Sequence, residues 1–95
     1  MPKFLIERPL PGAGSLSPSE LQAIAAKSNE VLAGMGGRAT WLQSYVTDDA
    51  IVCVYVADDE EAVAEHARLG GFPCEGARRV RTVIDPATAE GALVG

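Results

Sequence analysis

Residues 40–74, TWLQSYVTDDAIVCVYVADDEEAVAEHARLGGFPC, contain the only Trp, both Tyr, both Cys and the only His of this 95-residue chain. Two strand-forming runs come first. Residues 38–47 carry Thr40, Trp41, Tyr45 and Val46, and residues 51–56 are a β-branched run interrupted only by Cys53 and Tyr55. Thr47, Asp48 and Asp49 lie between the runs, so the spacing predicts a hairpin closed by a short acidic turn. In the second run Val52, Val54 and Val56 face one way and Ile51, Cys53 and Tyr55 the other. A strand apolar on both faces has to be covered on both. A helix follows, with Asp58 as its cap, Glu61 three residues on, and Asp59 and Glu60 at the positive end of the helix dipole. Ala62, Val63, His66, Ala67 and Gly70 share one side of it, and Gly70 with Gly71 stops it.

Outward from this stretch, residues 3–8 (KFLIER) read as a short strand closed by Pro9 and the turn cluster 11–14. Phe4, Ile6 and Arg8 share one face of that strand; Leu5 and Glu7 share the other. Ser17, Pro18 and Glu20 then combine a Ser cap, a Pro at the first helical position and a Glu that returns the hydrogen bond. Leu21, Ile24, Ala25, Ser28, Val31 and Leu32 recur at helical spacing until Gly34, Gly36 and Gly37 end the helix. Beyond the central stretch, residues 79–85 (RVRTVID) alternate as a last strand ended by Pro86, and residues 87–95 form a tail without pattern. The order strand, helix, strand, strand, helix, strand predicts an α+β ferredoxin-like sandwich over residues 1–86, with two helices on one face of a four-stranded antiparallel sheet. Helices on one face leave the other apolar face of the third strand bare. The expected solution is a homodimer with sheets packed face to face in a barrel-like assembly.

The composition narrows the function. A net charge of −5, with acidic residues at 48–49 and 58–61, argues against nucleic acid or an anionic membrane as partner. Arg78, Arg79 and Arg81 are too few to reverse it and read as a solvated strand edge. With no secretory leader or bilayer-length apolar run evident, the chain is expected to be cytoplasmic, with its cysteines as thiols. Motifs for zinc peptidases, paired-cysteine sites, phosphate loops and Ser-His-Asp hydrolases are missing from the sequence.

Two groups of residues could carry chemistry. His66 turns toward the sheet, either as a packed core histidine or as a ligand. If the helices cover the Cys53 and Tyr55 face, those two side chains approach His66, and Glu7 on the neighbouring strand is a fourth candidate. Imidazole, thiolate and carboxylate together suit a borderline divalent metal such as nickel or zinc. In the second group Trp41 and Tyr45 share strand parity and line a cleft or a dimer contact, with Ser44 facing the opposite way. The turn from Gly70 through Phe72 to Cys74 supplies a rigid pocket rim, with Cys74 as a candidate exposed thiol.

The blocks FLIER, WLQSYVTDD, CVYVADDEEAVAEHARLGGFP and VIDPATAE, in that order, resemble a family of small ferredoxin-like proteins known as a domain of unknown function, some of whose members are described as nickel-binding or nickel-responsive. The resemblance implies a dimeric α/β plait, no established enzymatic activity, no organic cofactor and binding of nickel. Glu7, Trp41, Ser44, Tyr45, Cys53, Tyr55, His66 and Phe72 match the family's pattern. The chain departs from that pattern at Val56, where an acidic residue is common, and at Cys74, where a small apolar one is usual. Three functions remain open: a nickel-binding homodimer, a structural or interaction module without ligand, and a small enzyme acting on an apolar substrate between sheet and helices.

Overall fold

The computed structural model describes residues 1–72 and 76–91. Its elements are β1 (Lys3–Pro9), α1 (Pro18–Ala33), β2 (Ala39–Val46), β3 (Ala50–Ala57), α2 (Glu60–Gly70) and β4 (Ala77–Arg79), with short 3-10 turns at Ala13–Ser15 and Pro86–Glu90. The strands form one antiparallel sheet in the order β2-β3-β1-β4. Strand β3 therefore pairs on both sides. With two helices, this is the ferredoxin-like βαββαβ arrangement that the order of elements predicts.

Local chemistry starts each helix. At α1 the Ser17 hydroxyl accepts from the Glu20 N–H at 3.2 Å while the Glu20 carboxylate accepts from the Ser17 N–H at 3.0 Å. Those bonds to Ser17 hold the Glu20 carboxyl below its ordinary pKa. At α2 the cap is Asp59, whose Oδ1 accepts from the Ala62 N–H at 2.8 Å, and not Asp58. Asp58 is still tied to the end of the sheet, because its N–H donates to the Arg38 carbonyl at 3.0 Å. The helix begins one residue later for that reason.

Strand β4 is shorter than residues 79–85 and ends at Arg79. Its antiparallel register sets Ala77 opposite Ile6 and Arg79 opposite Phe4, and the Val80 N–H reaches the Lys3 carbonyl at 2.8 Å. Pro2, the next residue before β1, turns its carbonyl to the other neighbour, β3, where it accepts from the Ala57 N–H at 3.0 Å. Arg78 and Arg79 stand exposed on this edge, where charge discourages pairing with another chain. Part of the sequence read as a patternless tail is the 3-10 turn Pro86–Glu90, capped by Asp85.

The strand faces follow the alternation in sequence. Phe4, Ile6 and Arg8 of β1 and Ile51, Cys53, Tyr55 and Ala57 of β3 are buried under the helices, together with Ala62, Val63, His66 and Ala67 of α2. Leu5, Glu7 and the three valines of β3 occupy the opposite face, where Glu7 is exposed and the valines half-buried. Strand β2 breaks the rule. A bulge between Trp41 and Gln43 shifts its register, so Trp41 pairs with Tyr55, Ser44 with Cys53, and Tyr45 with Val52.

Candidate functional site

Between α1 and the sheet lies a cavity of about 340 Å³. Leu21, Ile24, Ala25 and Ser28 of α1 form its roof. Ile51, Cys53 and Tyr55 of β3 and Arg8 of β1 form its floor, and Trp41, Ser44 and Val46 of β2 one wall. Leu10 and Phe72 complete the lining. Most of these side chains are apolar, and the size and character suit a small-molecule site.

The polar groups of the floor and roof form one connected cluster. The Arg8 guanidinium donates to the Tyr55 hydroxyl at 3.3 Å and lies 5.2 Å from the centre of the Phe72 ring and 6.0 Å from that of Tyr55. Arg8 is only 5% exposed although it is a permanent cation. Burial opposes its charge, and the facing Tyr55 and Cys53 side chains outweigh that effect, so its pKa is raised. Burial also pushes the Tyr55 phenol up, against the pull of Arg8, which keeps it protonated and able to donate.

His66 sits behind this cluster, fully buried. Its Nε2 is 3.1 Å from the Ser28 hydroxyl on α1, and its ring stacks at a tilt against Tyr55 at 5.2 Å and Phe72 at 5.4 Å. Among the described residues the buried Nδ1 has no hydrogen-bond partner. Burial first, then the positive field of Arg8, lowers its pKa, so the imidazole is neutral at pH 7. The phenyl ring of Phe72 folds back over the end of α2 and fits there because residue 70 is Gly: a Cβ at that position would lie 2.2 Å from the ring.

The structure thus joins His66, Tyr55 and Cys53 under the helices but leaves Glu7 on the opposite face of the sheet, where its alternation with Ile6 and Arg8 puts it. Trp41 and Ser44 lie together on the cavity side, with the indole N–H donating to the Ser44 hydroxyl at 2.9 Å. Strict alternation would have separated them; the bulge joins them and sends Tyr45, 55% exposed, to the open face. Phe72 lines the cavity and packs against His66. Cys74 lies outside the described residues. Cys53 is a buried free thiol.

A profile of the family described as "Nickel responsive protein SCO4226-like" matches residues 4–80. The chain belongs to the SCO4226-like family. Among solved structures, that of SCO4226 from Streptomyces coelicolor A3(2) superimposes with a TM-score of 0.72 over 86% of this chain and 99% of its own, at 14% sequence identity. At that identity the likeness establishes the shared fold. No curated protein matches the chain.

The residues under the helices do not fit a nickel ion held by one SCO4226-like chain. Among the described residues no three of His, Cys, Asp and Glu come together as a metal cluster. The His66 group offers one imidazole and one thiol, and its phenol receives a hydrogen bond from a guanidinium. A cation there opposes a dication.

Two members of the cluster, Arg8 and Ser28, are not among the candidate residues singled out from the sequence. The signal for both was present: each is a polar residue at a core-facing position, Arg8 in phase with Phe4 and Ile6, and Ser28 in the apolar stripe of α1. Among the described residues no helix is long and apolar enough to cross a membrane.

Proposed function

We propose that this SCO4226-like protein is a cytoplasmic small-molecule-binding protein that works as a homodimer, with its ligand held in the cavity between α1 and the sheet. The cavity itself is the observation that carries the reading. A space of about 340 Å³ roofed by Leu21 and Ile24, with Arg8, Tyr55 and Ser28 gathered in its lining, has the size, apolarity and sparse polar groups of a ligand site. The dimer is supported by the bare sheet face: Leu5 and Tyr45 are 39% and 55% exposed there, beside the half-buried Val52, Val54 and Val56. A second copy covering that face leaves the cavity, on the other side of the sheet, undisturbed.

The test is a titration of isotope-labelled protein with octanol, an apolar probe without charge, followed by amide chemical shifts. Saturable shifts centred on Arg8, Ala25, Ser28 and Cys53 are expected. Shifts confined to the open face, or none, would sink the cavity as the site. For the dimer, sedimentation should give twice the chain mass for the native protein and the single mass for Val54→Lys, which places a charge in the middle of the bare face.

The family's description favours a second reading, in which nickel is the ligand. His66 Nδ1, buried and without a partner among the described residues, is the atom that supports it, and further donors would have to come from beyond the His66 group. Elemental analysis of tag-free protein, with calorimetric titration of nickel and zinc in parallel, decides it. A defined stoichiometry lost in His66→Ala supports nickel at this place. Uptake unchanged in that variant moves the metal elsewhere, and no uptake removes the reading.

A further inference from the structure

The geometry points to a specific class of occupant for the cavity: an uncharged, lipophilic small molecule, held by apolar contact and not by an ionic or hydrogen-bonding anchor. The inference rests on the cavity being the binding site and adds the chemistry of what it selects. The pairing of the polar groups in the lining carries it.

Among the described residues of the lining, Arg8, Ser28, Trp41, Ser44, Cys53 and Tyr55 carry a polar atom in the side chain. Each has its partner inside the protein. The Trp41 indole N–H donates to the Ser44 hydroxyl at 2.9 Å, and the Ser28 hydroxyl is 3.1 Å from Nε2 of His66. Arg8 donates to the Tyr55 hydroxyl at 3.3 Å, faces the Cys53 thiol and has a further interaction within the chain. These pairs tie β1 to β3 and α1 to α2, so they serve the fold. Among the described residues the buried side-chain nitrogen or oxygen left without a partner is His66 Nδ1, and His66 stands behind the lining and is not part of it. What a ligand meets is mainly carbon, from Leu21, Ile24, Val46, Ile51 and the Phe72 ring.

This pairing decides against ions of either sign. A charged group entering the space gives up its water and gains a partner only by displacing one that the protein already supplies. If the charge stays in solvent, it holds the first part of the molecule outside with it and forfeits that burial. A hydroxyl or carbonyl costs less to desolvate, and no waiting partner rewards one over the other.

Size follows from the same walls. Leu21 and Ser28 both line the roof and are seven residues apart on α1, about 10 Å along its axis at 1.5 Å per residue. At about 30 Å³ for each water-sized group, 340 Å³ accommodates on the order of ten such groups. That is the scale of an eight-carbon alcohol or ketone.

The experiment compares four probes of equal carbon number, 2-octanone, octanol, octanoate and octylamine, at pH 7. Trp41 is the only tryptophan of the chain and lines the cavity, so its emission reports occupancy alongside the amide shifts. The ketone only accepts hydrogen bonds, the alcohol accepts and donates, and the two ions have opposite sign. The two neutral probes are expected to bind within about threefold of each other and each at least about tenfold more tightly than either ion. Ala25→Leu, which fills the cavity, should weaken both neutral probes at least about tenfold. Octanoate or octylamine binding as tightly as octanol overturns the uncharged class but leaves the cavity as the site. A gap of more than about tenfold between ketone and alcohol also overturns it, because a hydrogen-bonding anchor is then at work. Failure of all four probes to bind overturns both the class and the cavity, as does neutral binding that Ala25→Leu leaves intact. Should Ala25→Leu fail to fold, Trp41 emission and amide shifts of the native protein decide by themselves.

Discussion

The two helices lie on the same face of the same sheet and pack against it in opposite ways. Helix α2 buries Ala62, Val63, His66, Ala67 and Gly70 completely or nearly so, whereas α1 buries only Ser28 to that degree and keeps Leu21, Ile24, Val31 and Leu32 half-buried. The contact residues of α2 are mostly small, so that helix lies close to the strands. Helix α1 presents longer side chains across a gap. The core of this protein is thus closed under one helix and open under the other, and the proposed ligand site is the open half.

The same substitution on both helices is the sharpest way to break this comparison. Ala62→Leu forces a large side chain into the closed half and should cost about 1–3 kcal/mol in chemical denaturation. Ala25→Leu points the same side chain into the cavity. It should leave stability within about 1 kcal/mol of the native protein while reducing octanol affinity at least about tenfold. Equal losses at the two sites would mean that the cavity is filled in solution by rearrangement of α1.

The helix ends differ too. Gly71 caps α2 with φ 66°, a left-handed conformation that Gly adopts without strain, whereas Gly34 caps α1 with φ −86°. Gly71→Ala should therefore cost about 1–2 kcal/mol. Gly34→Ala, whose added Cβ would meet the Val31 carbonyl at an ordinary 3.6 Å, should be neutral or stabilise by up to about 1 kcal/mol. Thermal melts of the pair measure the contrast directly.

The smallest effect expected is the pH dependence of His66, which bridges the closed and open halves through Ser28. Its folded pKa lies below the ordinary 6.5, because of burial and then Arg8. The unfolded chain therefore binds its proton first. The stabilising contribution is complete above pH 6.5 and is lost as pH falls from 6.5 toward the folded value. The stability difference between the native protein and His66→Gln should shrink over that window; a difference independent of pH would show that His66 titrates alike in both states.

Much of the fold was legible because it is written in short-range terms. The Ser17-Pro18-Glu20 start of α1, the alternation of β1 and β3 and the Gly70–Gly71 stop depend on neighbours a few residues away, and each appears as read. Expectations failed where a distant partner intervenes: Arg38 holds Asp58 in the sheet and passes the cap to Asp59, and a bulge opposite β3 reverses the grouping of Trp41, Ser44 and Tyr45. The same division holds at the site. His66, Cys53 and Tyr55 meet because helix and strand periodicity aim them at one layer.

What the sequence alone determined is therefore the order of elements, which residues share a face of β1 and of β3, and a His66 turned toward the sheet, since a period of two or 3.6 residues decides all of these locally. Tertiary structure alone decided that α1 stands off the sheet, that Arg8 lies beneath it against Tyr55 and Phe72, and that Glu7 is on the far side from His66. Those outcomes depend on side-chain volumes summed across layers brought together from residues 8, 28, 55 and 72, a quantity that no local pattern contains.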